Sequence, residues 1–276
     1  MRKLFAKCLI AAVCVVLLAG TVAAQTQTVY NSIPKPLPGN VASEGPEAYG
    51  FAELGDGFTL TTTTGTLGQV TVIMSSWACQ TGNVTAGCVT ANGATFSQPI
   101  TVNLYSYDGS LATILGTITQ TFNIPYRPSS TPSKCNGDAQ MWYSSKDKIC
   151  YHGLAVPITV NFSNQHLAVP ANGELIVTVA FNTNTAGPSP IGTPGPYDSL
   201  NISTDGNGPS GLSGGVGNLL DTNGIFVNYI TSATACPDNT VTGRVALDTP
   251  CWTGFHPQIQ VQANTNTNGH SKGNGP

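Results

Sequence analysis

Apolar side chains recur at every second position along most of this chain, and that period is the strongest limit on what it can fold into. Ile100, Val102 and Leu104 alternate with Thr101, Asn103 and Tyr105; Ile158, Val160 and Phe162 alternate with Thr159 and Asn161; Ile259 and Val261 alternate with Gln258, Gln260 and Gln262. Ile114, Ile118, Phe122 and Ile124 share one parity. A period of two turns successive side chains to opposite faces, so each segment reads as a strand with one buried face. The run Leu-Ile-Val-Thr-Val-Ala-Phe at 175–181 is apolar on both parities, as a central strand covered on both sides should be. Turn signals separate the runs: Asp108-Gly109 lies between two of them, and Asn172-Gly173 and Asn223-Gly224 precede others. No stretch has the 3.6-residue period of an amphipathic helix, and 31 Gly and 19 Pro among 276 residues oppose one. The pattern predicts about ten to twelve strands in an all-β, antiparallel β-sandwich of jelly-roll type. The Pro/Gly stretch 187–196 could link two domains, but the loop-rich sequence after it is too short to hold a core of its own, so one domain is expected.

The first 24 residues read differently. Arg2, Lys3 and Lys7 precede an apolar stretch at 9–19 and the small residues Val22, Ala23 and Ala24, the layout of a secretory signal peptide cut before Gln25. A membrane anchor would need about 18 or more apolar residues, and this run is shorter. Removing the segment takes three of ten basic residues and leaves seven against thirteen acids, a net charge of −6. Arg127, Arg244 and five scattered lysines form no basic stripe. Nucleic acid and anionic membrane are therefore poor partners, and no membrane insertion is expected after cleavage.

A secreted, extracellular chain can keep disulfides. Cys8 and Cys14 leave with the signal, and the other six cysteines fall into three local couples, Cys79 with Cys88, Cys135 with Cys150, and Cys236 with Cys251. Each couple encloses loop-forming sequence, and closing a loop of about 15 residues contributes on the order of 3 kcal/mol. The boundaries expected are a signal peptide at 1–24, a proline-rich extended lead-in at 25–57, one sandwich domain at 58–263 and a polar, disordered tail at 264–276.

Catalytic signatures are weak. Gly211-Leu212-Ser213-Gly214-Gly215 matches a hydrolase nucleophile motif, which works only between a strand and a helix, and glycine loops flank it here. Of the four glutamates, Glu44, Glu47 and Glu53 fall in the lead-in and Glu174 opens a strand, where solvated acids need no function. A catalytic pair would have to converge from separate strands. Asp205-Gly206-Asn207-Gly208 and Asp221-Thr222-Asn223-Gly224 supply part of a calcium loop but read first as turns. No cofactor is expected, with a structural calcium ion the one option left open, and the cysteine spacings are not those of a zinc site. His152 and His256 stand in loops near Cys150 and Cys251.

Aromatic residues carry the stronger signal. Trp77, Trp142, Tyr143, Tyr151 and Trp252 lie within eight residues of a cysteine, so disulfides would hold them at loop bases. Trp77 reads as a plug on its disulfide. Trp142 and Tyr143, adjacent on a strand, would point to opposite faces. Trp142, Tyr143, Tyr197, Asp198 and Trp252 are the candidate ligand-binding residues, with rings on which sugars stack.

Tyr30-Asn31-Ser32-Ile33-Pro34, Ser75-Ser76-Trp77-Ala78-Cys79, Thr121 to Ser129, Pro196 to Asn201 and Cys251-Trp252-Thr253-Gly254-Phe255 resemble a group of uncharacterised secreted bacterial β-sandwich proteins. That resemblance implies no activity. The order of strands and turns is also similar to jelly-roll modules that bind sugars or surfaces in exported proteins. The function expected is secreted binding, without catalysis, of an extracellular carbohydrate or cell-surface polymer. The alternatives are a glycan-active hydrolase or lyase and a structural envelope or matrix protein.

Overall fold

A computed structural model describes residues 24–46, 51–83, 86–181, 199–204, 208–229, 245–248 and 253–266. In chain order the strands are β1 (Ala24–Asn31), β2 (Ser43–Glu44), β3 (Phe51–Thr59), β4 (Thr66–Ser76), β5 (Thr81–Asn83) and β6 (Ala86–Val89). They continue as β7 (Thr95–Tyr107), β8 (Ala112–Pro125), β9 (Trp142–Ser144), β10 (Ile149–Tyr151), β11 (Leu154–Asn161) and β12 (Glu174–Phe181). The last are β13 (Leu200–Ser203), β14 (Asn218–Leu219), β15 (Ile225–Tyr229), β16 (Ala246–Asp248) and β17 (Ile259–Asn266).

Every pairing among them is antiparallel, and two sheets form a sandwich. The first has the order β1-β17-β4-β13-β2, with β11 on the other edge of β4; the second has the order β16-β15-β3-β12-β7-β8, with β14 also on β3. Between these strands the chain crosses repeatedly from sheet to sheet, the habit of a jelly roll. The sheets meet through the parity that the sequence marks as apolar. Val70, Val72 and Met74 of β4, Ile158 and Val160 of β11, and Ile259 and Val261 of β17 face Leu54 and Phe58 of β3, Val177 and Val179 of β12, and Val102 and Leu104 of β7, all in one buried core. Full burial of each such side chain contributes about 1.5–3 kcal/mol. The 175–181 run is the central strand β12, hydrogen-bonded to β3 on one edge and β7 on the other.

The turns also form where the sequence marks them. Asp108 Oδ1 accepts from the backbone N–H groups of Ser110 and Leu111, while Gly109 takes φ 93° and so closes the β7–β8 hairpin. Gly173, at φ 75°, turns the chain into β12.

Two boundaries differ from the sequence reading. Segment 25–57 is framework rather than lead-in: β1 pairs with β17, and β3 sits between β12 and β15 with Phe51, Leu54 and Phe58 buried. Prolines 34, 36 and 38 occupy the connection after β1, and Gly55, Gly57, Glu53 and Asp56 interrupt the alternation of β3, which hides both strands from a pattern search. At the other end, β17 runs on to Asn266, opposite Ala24. Residues 267–276 lie outside the described residues.

The disulfides Cys79–Cys88 and Cys135–Cys150 form as expected, while Cys236 and Cys251 lie outside the described residues. Between the two bridges lies Arg127, fully buried. Its Nε donates to Cys88 Sγ at 3.2 Å, Nη1 to the carbonyls of Gln140 and His152, and Nη2 to Ser130 Oγ at 2.8 Å. Burial lowers its pKa to about 10, with Asp138 acting in the opposite sense, so the guanidinium stays charged at neutral pH. One cation thus ties the end of β8, the β5–β6 hairpin and the 135–150 loop together. Arg127→Leu strips the donors from two carbonyls, and urea denaturation should show a loss of about 3 kcal/mol.

Candidate functional site

Strand β3 carries an acid on each face. From Glu53 onward the odd positions of β3 point out of the sandwich and the even positions into it, while Phe51, across a register shift, packs in the core, so Glu53 and Asp56 are served by different surroundings.

On the outward face Glu53 is only 7% exposed. Its Oε1 accepts from Asn103 Nδ2 at 2.7 Å, from the Tyr105 hydroxyl at 2.8 Å and from Thr178 Oγ1. Thr117 Oγ1 donates to Asn103 Oδ1 at 2.8 Å, which orients that amide toward the carboxylate. The register explains the convergence: Asn228 lies opposite Glu53, Gly55 opposite Thr178, Thr178 opposite Asn103, and Asn103 opposite Thr117. A polar row therefore crosses five strands, from β15 to β8. Gly55 is required within it, because a Cβ there would lie 2.0 Å from the carbonyl oxygen of Val177 and 2.5 Å from Thr178 Cα.

Above the row is a cleft of about 480 Å³ lined by Glu53, Tyr105 and Asn228 of the row's neighbourhood, by Ser110, Leu111, Ala112 and Ile114 of the β7–β8 hairpin, and by Val245. Leu111 and Ile114 are more than half exposed, so an apolar wall stands over a polar floor. No hydrogen bond from a described residue reaches Glu53 Oε2, and Asn228 Oδ1 is buried without a partner among the described residues. Burial first, and then the Glu53 charge, push the Tyr105 pKa up, which keeps the phenol a donor.

On the inward face Asp56 Oδ2 lies 2.8 Å from His256 Nδ1, and His256 Nε2 faces the carbonyl of Thr222 at 3.3 Å. Both ring nitrogens point at acceptors, which suits an imidazolium. Both side chains are almost fully buried, and the pair ties the segment before β17 to the opposite sheet. With both nitrogens engaged, His256 has none free to activate a nucleophile.

The aromatic candidates separate. Trp142 is buried, at 8% exposure, and its Nε1 donates to the Gly153 carbonyl at 2.7 Å, so the expectation of an exposed stacking platform is corrected: the indole is a plug beneath Tyr151, 5.6 Å away. Tyr143, on the other face of β9, is half-buried with Lys134 Nζ 5.5 Å from its ring centre. Trp77 stacks on His152 at 5.6 Å, and its Nε1 donates to Ser43 and Ser75. Tyr197, Asp198 and Trp252 lie outside the described residues. Ser213 of the G-x-S-x-G match sits exposed in a glycine turn where no helix follows, so the nucleophile motif lacks its setting.

Among the described residues no group of three or more His, Cys, Asp or Glu is placed to hold a metal ion. No helix among them is long and apolar enough to cross a membrane. Comparison with known protein families, characterised proteins and solved structures finds no match to this chain.

Glu53, whose place in a proline-rich stretch suggests a solvated acid, is instead buried. The available signal was Glu53-Leu54-Gly55-Asp56-Gly57, two acids of opposite parity interleaved with two glycines inside an otherwise apolar segment.

The inward pair has a consequence for stability. Burial raises the Asp56 pKa from 3.8 to about 6, against the hydrogen bond and charge of His256. Burial pulls His256 down, but the Asp56 hydrogen bond and charge, the Thr222 carbonyl and the Asp221 charge together raise it by more, leaving it above its ordinary 6.5. Both shifts give the folded chain more protons than the unfolded one, so the pair's contribution is present at low pH and is lost as pH rises, through about 6 for Asp56 and above 6.5 for His256. Urea denaturation at a series of pH values should show stability falling as pH rises through about 6 and on above 6.5, and His256→Gln, which removes the charge that holds Asp56 down, should move the Asp56 part of that fall to higher pH.

Proposed function

We propose that this is a secreted binding protein, and that the cleft over Glu53 takes an extracellular carbohydrate or cell-surface polymer. One observation carries the reading: a carboxylate pre-oriented by three donors on one oxygen, with its second oxygen free of described partners, on the floor of a cleft with apolar walls. Sugars present this combination in reverse, with hydroxyl donors around the ring edge and C–H faces above and below it. The disulfides and the basic-apolar N-terminus support a place outside the cell.

Binding is favoured over glycoside hydrolysis because the described lining of the cleft carries one carboxylate, whereas hydrolysis ordinarily uses two about 5 to 9.5 Å apart. Titration calorimetry against a panel of soluble polysaccharides should give saturable heat. Tyr105→Phe should weaken binding about threefold to tenfold through the loss of one donor to Glu53. Absence of heat from the whole panel would end the carbohydrate reading.

A structural role has its own support in β8, which ends its sheet and pairs only with β7 among the described residues. The strand is 14 residues long and carries no charge to deter edge-to-edge pairing. The side chain of Gln165 caps its Thr117 carbonyl. On this reading sedimentation velocity should show dimers or larger species at high concentration, and Thr121→Lys should return them to monomer.

A further inference from the structure

We propose that the cleft selects a sugar bearing a free, protonated amine, a glucosamine-type residue whose ammonium group sits between Glu53 Oε2 and Asn228 Oδ1. This rests on the carbohydrate reading of the same cleft and narrows it to one class of ligand.

The first argument is charge. The three donors that hold Glu53 are an amide, a phenol and a hydroxyl, all neutral. The one ion pair among the described residues is His256 with Asp56, on the opposite face of the strand. Dipoles orient the Glu53 carboxylate but do not cancel its charge, so, among the described residues, nothing offsets a negative charge on the cleft floor in this largely desolvated place. A cation is the complement of such a floor.

The second argument is hydrogen-bond sense. Two atoms without a partner among the described residues at this end of the cleft, Glu53 Oε2 and Asn228 Oδ1, belong to residues directly opposite each other across β3 and β15. A carboxylate oxygen and an amide oxygen are both acceptors. An ammonium brings three donors and can serve both, whereas a sugar hydroxyl brings one. An N-acetyl group replaces the charge with a planar amide bearing a single N–H and a methyl group, which fits neither the charge nor the second acceptor.

A metal cation is the competing occupant, and the ligand count speaks against it. Calcium takes six to eight oxygen ligands, but the described residues at this end of the cleft offer one free carboxylate oxygen and one free amide oxygen. The walls fit a sugar instead: Leu111, Ile114 and Val245 give a pyranose ring an apolar face to lie against. The volume of about 480 Å³ falls within the range of small-molecule sites.

The test compares three tetrasaccharides of the same β-1,4 linkage by calorimetry on the mature protein at about pH 6, where a sugar amine is charged. They are the glucosamine, N-acetylglucosamine and glucose tetramers. The glucosamine tetramer should bind at least tenfold tighter than the other two, and the advantage should vanish at about pH 9.5, where the amine is neutral. Glu53→Gln should remove the preference while leaving weak binding of all three. Equal binding of the three by the wild type would overturn the amine inference and leave carbohydrate binding standing. A preference that survives Glu53→Gln would overturn it as well, by placing amine recognition elsewhere. Failure of all three to bind would overturn it together with the carbohydrate reading for this cleft. The wild-type comparison needs no variant, so misfolding of Glu53→Gln would not rescue the inference.

Discussion

Two carboxylates buried on opposite faces of one central strand set the terms for much of the surrounding structure. A buried carboxylate without partners is too costly to keep, so each obliges its neighbours to supply donors. On the inward side that demand draws in His256 from the segment before β17, together with the backbone N–H of Gly57. On the outward side it draws Asn103, Tyr105 and Thr178 from two further strands toward a single oxygen. The glycines of β3 answer the same demand, since a side chain at Gly55 would meet the backbone of β12 and one at Gly57 would meet Phe226 and Leu220.

The far end of the molecule solves a different problem. The loops around the two described disulfides have little apolar sequence, and they are held by Arg127 and by Asp147 rather than by a core of their own. Asp147 Oδ2 accepts from the Gly39 backbone N–H, Ser144 and Tyr151, which pins the proline-rich connection after β1 to the 135–150 loop. Cross-links, one buried cation and a half-exposed carboxylate take over where hydrophobic area is scarce, as expected for a chain that spreads its apolar residues thinly over two sheets. Trp142 belongs to this system, its ring filling space under the loop while its N–H satisfies the Gly153 carbonyl.

What could be read from the sequence follows from which forces are local. Strand parity at 100–104, 158–162 and 259–261, the double-sided run that became β12 and the Asp108-Gly109 turn each depend on a few adjacent residues, and the structure shows them as expected. Nearest-neighbour cysteine pairing was legible for the same reason in the two described couples. Strand β1 was not legible, because its identity comes from β17, more than 200 residues away. Nor was the burial of Trp142, since nothing next to it in sequence announces that the Gly153 carbonyl will need a donor. Glu53 was hardest of all: its setting is assembled from β7, β8, β12 and β15, and the residues involved, Asn103, Thr117, Thr178 and Asn228, look in isolation like ordinary outward positions of strands.

That same non-local assembly is an argument about function. A carboxylate kept only for stability could have been replaced by an apolar residue of similar size, since burying charge and its partners rarely gains stability over simple packing. Here a row of polar residues spans five strands on a face that could have been apolar, and its centre is 93% removed from solvent while still lining an open cleft. Arrangements of this kind hold a charged atom still before a ligand arrives, which lowers the ordering cost of binding. The inward acid of β3 has its charge matched within the fold by His256, whereas among the described residues the outward acid is held by neutral dipoles. The difference between these two solutions to one problem, on a single strand, is the physical ground for the binding function proposed for the outward face.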